Sequence, residues 1–194
     1  MNGKKGPVIV VSGQVGTGKT THAKLLAREF NLRYVSSGQL FRELAKERGF
    51  TLEEFHRLAE KDPKIDLLVD KRALREAERG SVVIEGHLTA WIVKELADIR
   101  ILLTAPLEVR AKRVAERDNI TLDKALKDVM LRDESNKLRA KRYYGVDLSD
   151  WTIFDLVLNT SKLTVHGTFE VLKTFVGECL KLREAAGDLS SLRD

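Results

Sequence analysis

Eight residues constrain this chain more than any others: Gly13-Gln14-Val15-Gly16-Thr17-Gly18-Lys19-Thr20 fits G-x-x-x-x-G-K-[ST] in full. The run follows Val8 to Ser12, a β-branched stretch that reads as a buried strand. It precedes Thr20 to Phe30, whose Ala23, Leu26, Ala27 and Phe30 share one helical face. Glycines let backbone N–H groups turn toward an anion, and the helix behind them adds the positive end of its dipole. In that setting Lys19 reaches the β- and γ-phosphates of a nucleoside triphosphate, and the Thr20 hydroxyl can ligate Mg²⁺. All eight residues, with Thr21, are candidate ATP-binding residues, and Lys19 is also a candidate catalytic one.

The rest of the chain alternates strand and helix. Arg33 to Ser36 suggests a second strand and Leu40 to Arg48 a helix closed by Gly49. Thr51-Leu52-Glu53-Glu54 has capping-box spacing, so a helix should run from Leu52 to about Asp62, and Pro63 opens another that ends at Gly80. Ser81 to Glu85, Ile99 to Thr104 and Leu156 to Leu158 read as strands. Leu107 to Arg117, Thr121 to about Tyr143 and Thr168 to Ala185 read as helices, with 186–194 as a tail. Five strands separated by helices predict an α/β protein with a parallel sheet covered on both faces.

Composition narrows the class. A chain of 194 residues suits one domain, and motors or remodelling ATPases normally carry more. No apolar run approaches the ~20 residues a membrane span needs. Val8 to Val11 is too short for a signal-peptide core. The lone cysteine, Cys179, sits in an apolar helical stretch and reads as a core residue. A cytoplasmic monomer is the expectation. The net charge of +5 is spread among interspersed acids rather than gathered in a tail, which suits a protein with phosphate ligands better than a nucleic-acid binder. Charged residues reach 32% with few Cys and Met, a balance seen in thermophile proteins. The four histidines do not cluster, so they suggest no metal site.

A small GTPase would need an N-K-x-D element, and Asn136-Lys137-Leu138-Arg139 lacks the aspartate. A kinase of a hydroxyl substrate normally wants an aspartate base after the first helix, and Val35-Ser36-Ser37 offers none. A second phosphate grip does follow the second strand: Ser37, Gly38 and Arg42 open a helix, and Arg42 offers a planar fork. Taken alone, Arg42 reads equally well as an exposed helix arginine. Arg110, Arg113 and Arg117 fall on one helical face, and Arg132 and Arg139 on another. Without the phosphate loop both stripes would read as solvated, salt-bridged helices. With it, they fit arginines that neutralise a transferring phosphoryl group and exclude water. Trp91 and Trp151 read as core or hinge aromatics.

The stretches SSGQLFRELAKERG, LEEFHRLAEKDPKID, VVIEG, APLEVRAKRVAERD, RDESNKLRAKRYYG and FDLVLNTS resemble the archaeal-type cytidylate kinases, from Val8 to about Val176. The resemblance implies a three-layer P-loop kinase fold with a helical monophosphate-binding insert and a short lid. The core would be 7–36, 81–112 and 151–185, the insert about 37–80 and the lid about 113–145. It implies ATP as donor, Mg²⁺ as cofactor and a nucleoside monophosphate as acceptor, CMP or dCMP before UMP or AMP. Ser37 and Arg42 would hold the acceptor phosphate. Asp66 and Asp70 would either read the pyrimidine edge or lie on the surface of the Pro63 helix. Arg132 and Arg139 would be catalytic, and Arg113 and Arg117 would bind ATP. Glu85 would reach Mg²⁺ through water, and Asn159-Thr160-Ser161 would pack beside the adenine. Where the family pattern has glycine–arginine, this chain has Gly86-His87. A neutral imidazole is no guanidinium fork, so acceptor binding would be weaker, or pH-dependent, or supported by another arginine such as Arg72.

Overall fold

The computed structural model describes residues 6–191. Five strands, β1 (Val8–Gly13), β2 (Arg33–Ser36), β3 (Val82–Gly86), β4 (Ile99–Thr104) and β5 (Leu156–Asn159), pair in the order β2-β3-β1-β4-β5. Every pairing is parallel, and the order reverses direction at β1. The phosphate-loop motif leaves β1 where neighbouring strands are followed in opposite directions, the place where open α/β sheets form a ligand crevice.

The helices are α1 (Lys19–Glu29), α2 (Ser37–Glu47), α3 (Leu52–Ala59), α4 (Lys64–Arg79), α5 (Thr89–Ile92), α6 (Leu107–Asp118), α7 (Leu122–Tyr144) and α8 (Val165–Ser191). β1 and β3 are buried along their whole length because both faces are covered. Ile9 and Val11 pack with Ala23 and Leu26 of α1 and Leu172 and Val176 of α8. Val8 and Val10, on the opposite face, pack with Ala73 and Ala77 of α4 and Ala90 of α5. Two smaller clusters lie off the sheet. Phe41, Phe55, Ile65 and Val69 join α2, α3 and α4, while Val15, Val114, Ala125 and Val129 join the phosphate loop to α6 and α7.

Local signals were mostly accurate. Thr51 and Glu54 form the expected capping box, and Cys179 packs against the first cluster. Three helices differ from expectation. α2 begins at Ser37 rather than Leu40, because Ser36 leaves the strand extended and its Oγ accepts from the Gln39 N–H at 3.0 Å. α5 was not foreseen. α8 begins at Val165, where Thr164 Oγ1 accepts from the Gly167 N–H at 3.0 Å, and it continues to Ser191 through most of the expected tail. The last three residues of that tail, and the first five of the chain, lie outside the described residues. Trp91 packs edge-on to Phe154, but Trp151 is half exposed and no part of the core. No described helix is long and apolar enough to cross a membrane.

Candidate active site

A cleft of about 900 Å³ opens at the carboxyl ends of β1 and β3, walled by the phosphate loop, α2, α4, α6 and α7. Gly16 has φ of +81°, and a Cβ there would meet the Arg110 carbonyl oxygen at 2.6 Å, so only glycine fits. Gly13 presses on β4 in the same way, its missing Cβ 2.3 Å from the Leu103 carbonyl oxygen. Lys19 Nζ donates to the Gln14 carbonyl oxygen at 2.8 Å. Burial lowers its pKa to about 8, with Arg132 and Arg110 adding to the effect and Glu85 and Asp133 opposing it.

Thr20 Oγ1 donates to Glu85 Oε1 at 3.1 Å, and the same carboxylate oxygen accepts from Tyr34 at 3.3 Å and from Ser36. Glu85 is buried at the end of β3, whereas Thr20 is exposed to the cleft. With its proton committed to Glu85, the Thr20 hydroxyl keeps lone pairs for a cation. This hard-oxygen pair fits Mg²⁺, which takes few protein ligands and fills its shell with phosphate oxygens and water. Among the described residues, no group of three or more carboxylate, imidazole or thiolate side chains forms a self-sufficient metal cage.

Across the cleft, Ser37 and Gly38 occupy the first turn of α2, with Arg42 one turn further. Ser37 Oγ lies 3.2 Å from Thr89 Oγ1. Arg42 has no ion pair among the described residues, although burial and nearby Arg132 lower its pKa. His87 lines the same space. Its Nδ1 is buried without a partner, and burial together with Lys19, Arg139, Arg132 and Arg110 pushes its pKa down to about 3. Protonation around neutral pH is therefore no route to replacing a guanidinium. Arg72 does not replace it either: it pairs with Glu76 at 3.0 Å, away from the cleft.

Asp66 is buried rather than on the surface, and Asp70 is half-buried beside it. Asp66 Oδ1 pairs with Arg139, while Asp66 Oδ2 is buried with no partner among the described residues. Asp70 accepts a hydrogen bond from Tyr144, and burial raises its carboxyl pKa to about 6.

The arginine stripes separate. Arg110, expected to face the cleft, is 5% exposed and lies under the loop: Nη1 donates to the Val15 carbonyl at 3.1 Å and to Asp133 at 2.6 Å, and Nε donates to the Ala105 carbonyl at 3.1 Å. Arg113 grips Thr160 through its hydroxyl at 2.8 Å and its carbonyl at 2.9 Å, tying α6 to the turn after β5. Arg117 forks onto neighbouring Asp118 with both bonds at 2.7 Å. Arg132 donates to Asp128 at 3.1 Å, and its Nε has no partner. Arg139 is buried, bonded to Asn136 at 2.6 Å and stacked 5.1 Å from the Phe41 ring.

Sequence reading missed Asp133, Tyr144, His56 and Asn136. Asp133 and Asn136 lay inside a stretch already singled out, but nothing local distinguished them from solvated helix residues.

The model for the cytidylate kinase-like family matches residues 8–162. A cytidylate kinase of Staphylothermus marinus is 52% identical over 174 residues, spanning 90% of this chain and 98% of that protein. One of Pyrococcus horikoshii is 42% identical over 187 residues, 96% and 95% of the two chains. Among solved structures, a shikimate kinase of Bacteroides thetaiotaomicron (TM-score 0.58, 16% identical, covering 88% of this chain and 98% of that one) shares the fold. So does a gluconokinase of Sinorhizobium meliloti (TM-score 0.59, 15% identical, 96% and 98%). At such identities these two speak to the fold alone. The loop at the switch point, the paired cleft walls and the extended sequence identity agree: this chain belongs to the cytidylate kinase-like family.

Proposed function

We propose that the protein transfers the γ-phosphoryl group of ATP to CMP and dCMP, releasing ADP and the nucleoside diphosphate. One observation carries this reading: two phosphate grips, the loop around Lys19 and the α2 start with Arg42, line one cleft, and Arg132 is within electrostatic reach of both. Both grips come from the same chain, so one copy supplies the whole site.

In this reading the loop amides and Lys19 hold the donor's β- and γ-phosphates, while Ser37 and Arg42 orient the acceptor phosphate. An oxygen of that phosphate attacks the γ-phosphorus, and the bond to the β–γ bridging oxygen breaks. The attacking oxygen is already anionic at neutral pH, so no general base is required, and neutral His87 has no proton to abstract. Charge spreads over the equatorial oxygens of the transferring group, where Lys19 and Arg132 oppose it. Thr20 would ligate Mg²⁺, with Glu85 bonded to its water; the ion, when bound, neutralises phosphate charge. Arg113, whose Nη1 donates to the Gly16 carbonyl at 3.3 Å, borders the donor side, and Arg117 lines the same cleft near Arg42. Asp66 Oδ2, a lone acceptor at the cleft wall, suits the exocyclic amine of cytosine and not the carbonyl of uracil. Asp70 supports that wall through Tyr144.

A coupled ADP-release assay across CMP, dCMP, UMP, AMP and GMP tests the proposal. CMP and dCMP should stimulate ATP use most. Equal or greater stimulation by AMP or UMP would overturn the base assignment, and stimulation by none would overturn the kinase reading.

A further inference from the structure

Asp133 belongs to none of the roles above, yet it joins three parts of the molecule. It sits on α7 immediately after Arg132, and its Oδ2 accepts from Arg110 Nη1 at 2.6 Å and from Gln14 Nε2 at 3.3 Å. Through Arg110 the same carboxylate is connected to the Val15 carbonyl in the phosphate loop and to the Ala105 carbonyl after β4. Behind these bonds, Val15 packs with Val114 of α6 and Ala125 and Val129 of α7. Arg110 also touches the loop directly, since its backbone occupies the space that a Gly16 side chain would need.

The bonds fix a rotation as well as a distance. Consecutive helix residues point about 100° apart. With Asp133 turned onto the loop, Arg132 must face the cleft, where its charge is felt at both Lys19 and Arg42. Among the described residues Arg132 itself has one protein anchor, Asp128 on the same helix, and its Nε has no partner. Nothing in its own contacts therefore sets where it stands relative to the loop.

We propose that Asp133 is a positioning residue: by clamping Arg110 and Gln14 it registers α7 against the phosphate loop and so places the Arg132 guanidinium over the transferring phosphoryl group. This rests on the reading that Arg132 faces that group. Buried Arg110 also needs a counter-charge. A purely structural role would require an anion at 133 but not one of a particular reach, and this difference provides the test.

Four variants, each assayed well below its own melting midpoint, separate the possibilities. Arg132→Ala should lower kcat at least tenfold. Asp133→Glu keeps the charge beside Arg110 but lengthens the arm by one methylene. It should melt within a few degrees of the parent while kcat falls at least fivefold and the KM for CMP changes less than twofold. The pair Arg110→Met with Asp133→Leu removes both buried charges and should recover most of the melting midpoint lost in Asp133→Asn without recovering kcat. Parental kcat in Asp133→Glu or in the paired variant, with Arg132→Ala impaired, overturns the positioning role alone. Parental kcat in Arg132→Ala overturns the Arg132 reading and the proposal together.

Discussion

Arg139 of α7 and Asp66 of α4 form a buried ion pair across 73 positions of sequence, capped by the Phe41 ring and extended by Asn136 and His56. The pair joins the end of the second arginine stripe to α4, which packs against α2 and the proposed acceptor grip. An arginine that the resemblance implies to be a lid residue thus stands in the cleft wall where α7 meets α4. Removing one partner strands the other as a buried charge. Arg139→Ala should lose about 3–5 kcal/mol of stability and raise the KM for CMP, in contrast to a pure kcat defect. Denaturant unfolding with CMP titration checks both; an unchanged midpoint would refute the pairing.

Lys19→Ala removes the point charge proposed to hold the donor phosphates, and among the described residues the Lys19 Nζ donates to one carbonyl, that of Gln14. Its kcat should fall at least about 100-fold while the melting midpoint stays close to the parent's. Steady-state kinetics beside a thermal melt would reveal either failure.

Among the described residues Arg42 has no ion-pair partner, so in the proposed reaction its loss should be felt almost entirely at the acceptor phosphate. Arg42→Ala should raise the KM for CMP by about 10–100-fold, as losing a charge-assisted bond implies, and leave the KM for ATP within about twofold. Equal loss for both substrates would argue against this assignment.

Glu85 holds Thr20, Tyr34 and Ser36 through one oxygen. Glu85→Gln keeps an acceptor there but removes the charge, and it should raise the Mg²⁺ concentration for half-maximal rate about 10–100-fold. A Mg²⁺ titration at fixed ATP gives the answer, and an unshifted curve would remove Glu85 from the metal's surroundings.

His56 is buried, and its pKa is driven to about 3 first by burial and then by Arg139 and Arg132. Unfolding frees it to bind a proton below about pH 6.5, so its contribution to stability is present above that pH and is lost as pH falls toward 3. At pH 5 the loss amounts to about 2 kcal/mol. Asp70, whose carboxyl is raised to about 6, holds its proton in the folded state between its unfolded value and 6 and so acts in the opposite direction. The prediction is therefore a difference. The stability gap between the parent and His56→Gln should narrow by about 2 kcal/mol from pH 7 to pH 5. A gap independent of pH would show that His56 titrates normally.

The order of the strands and of every helix but α5, the phosphate loop and the capping box at Thr51 were legible in the sequence. Each depends on residues within one or two turns of one another, where spacing and backbone preference decide the conformation. The start of α2 was placed three residues late, at Leu40, because the Ser36 cap forms only where β2 ends and leaves Ser36 extended. Charge partners from other segments were not legible. Arg110, Arg113 and Arg117 look equivalent on a helical wheel, yet one is buried under the loop, one grips Thr160 and one forks onto its neighbour. Asp133 looked like a solvated helix residue until Arg110 arrived beside it. The sequence by itself determined which elements form and that one of them cradles phosphate, because those are local properties of the chain. The tertiary structure decided which guanidiniums remain available to a ligand, because the groups that claim Arg110, Arg113 and Arg139, namely Asp133, Thr160 and Asp66, are brought there by other segments of the chain.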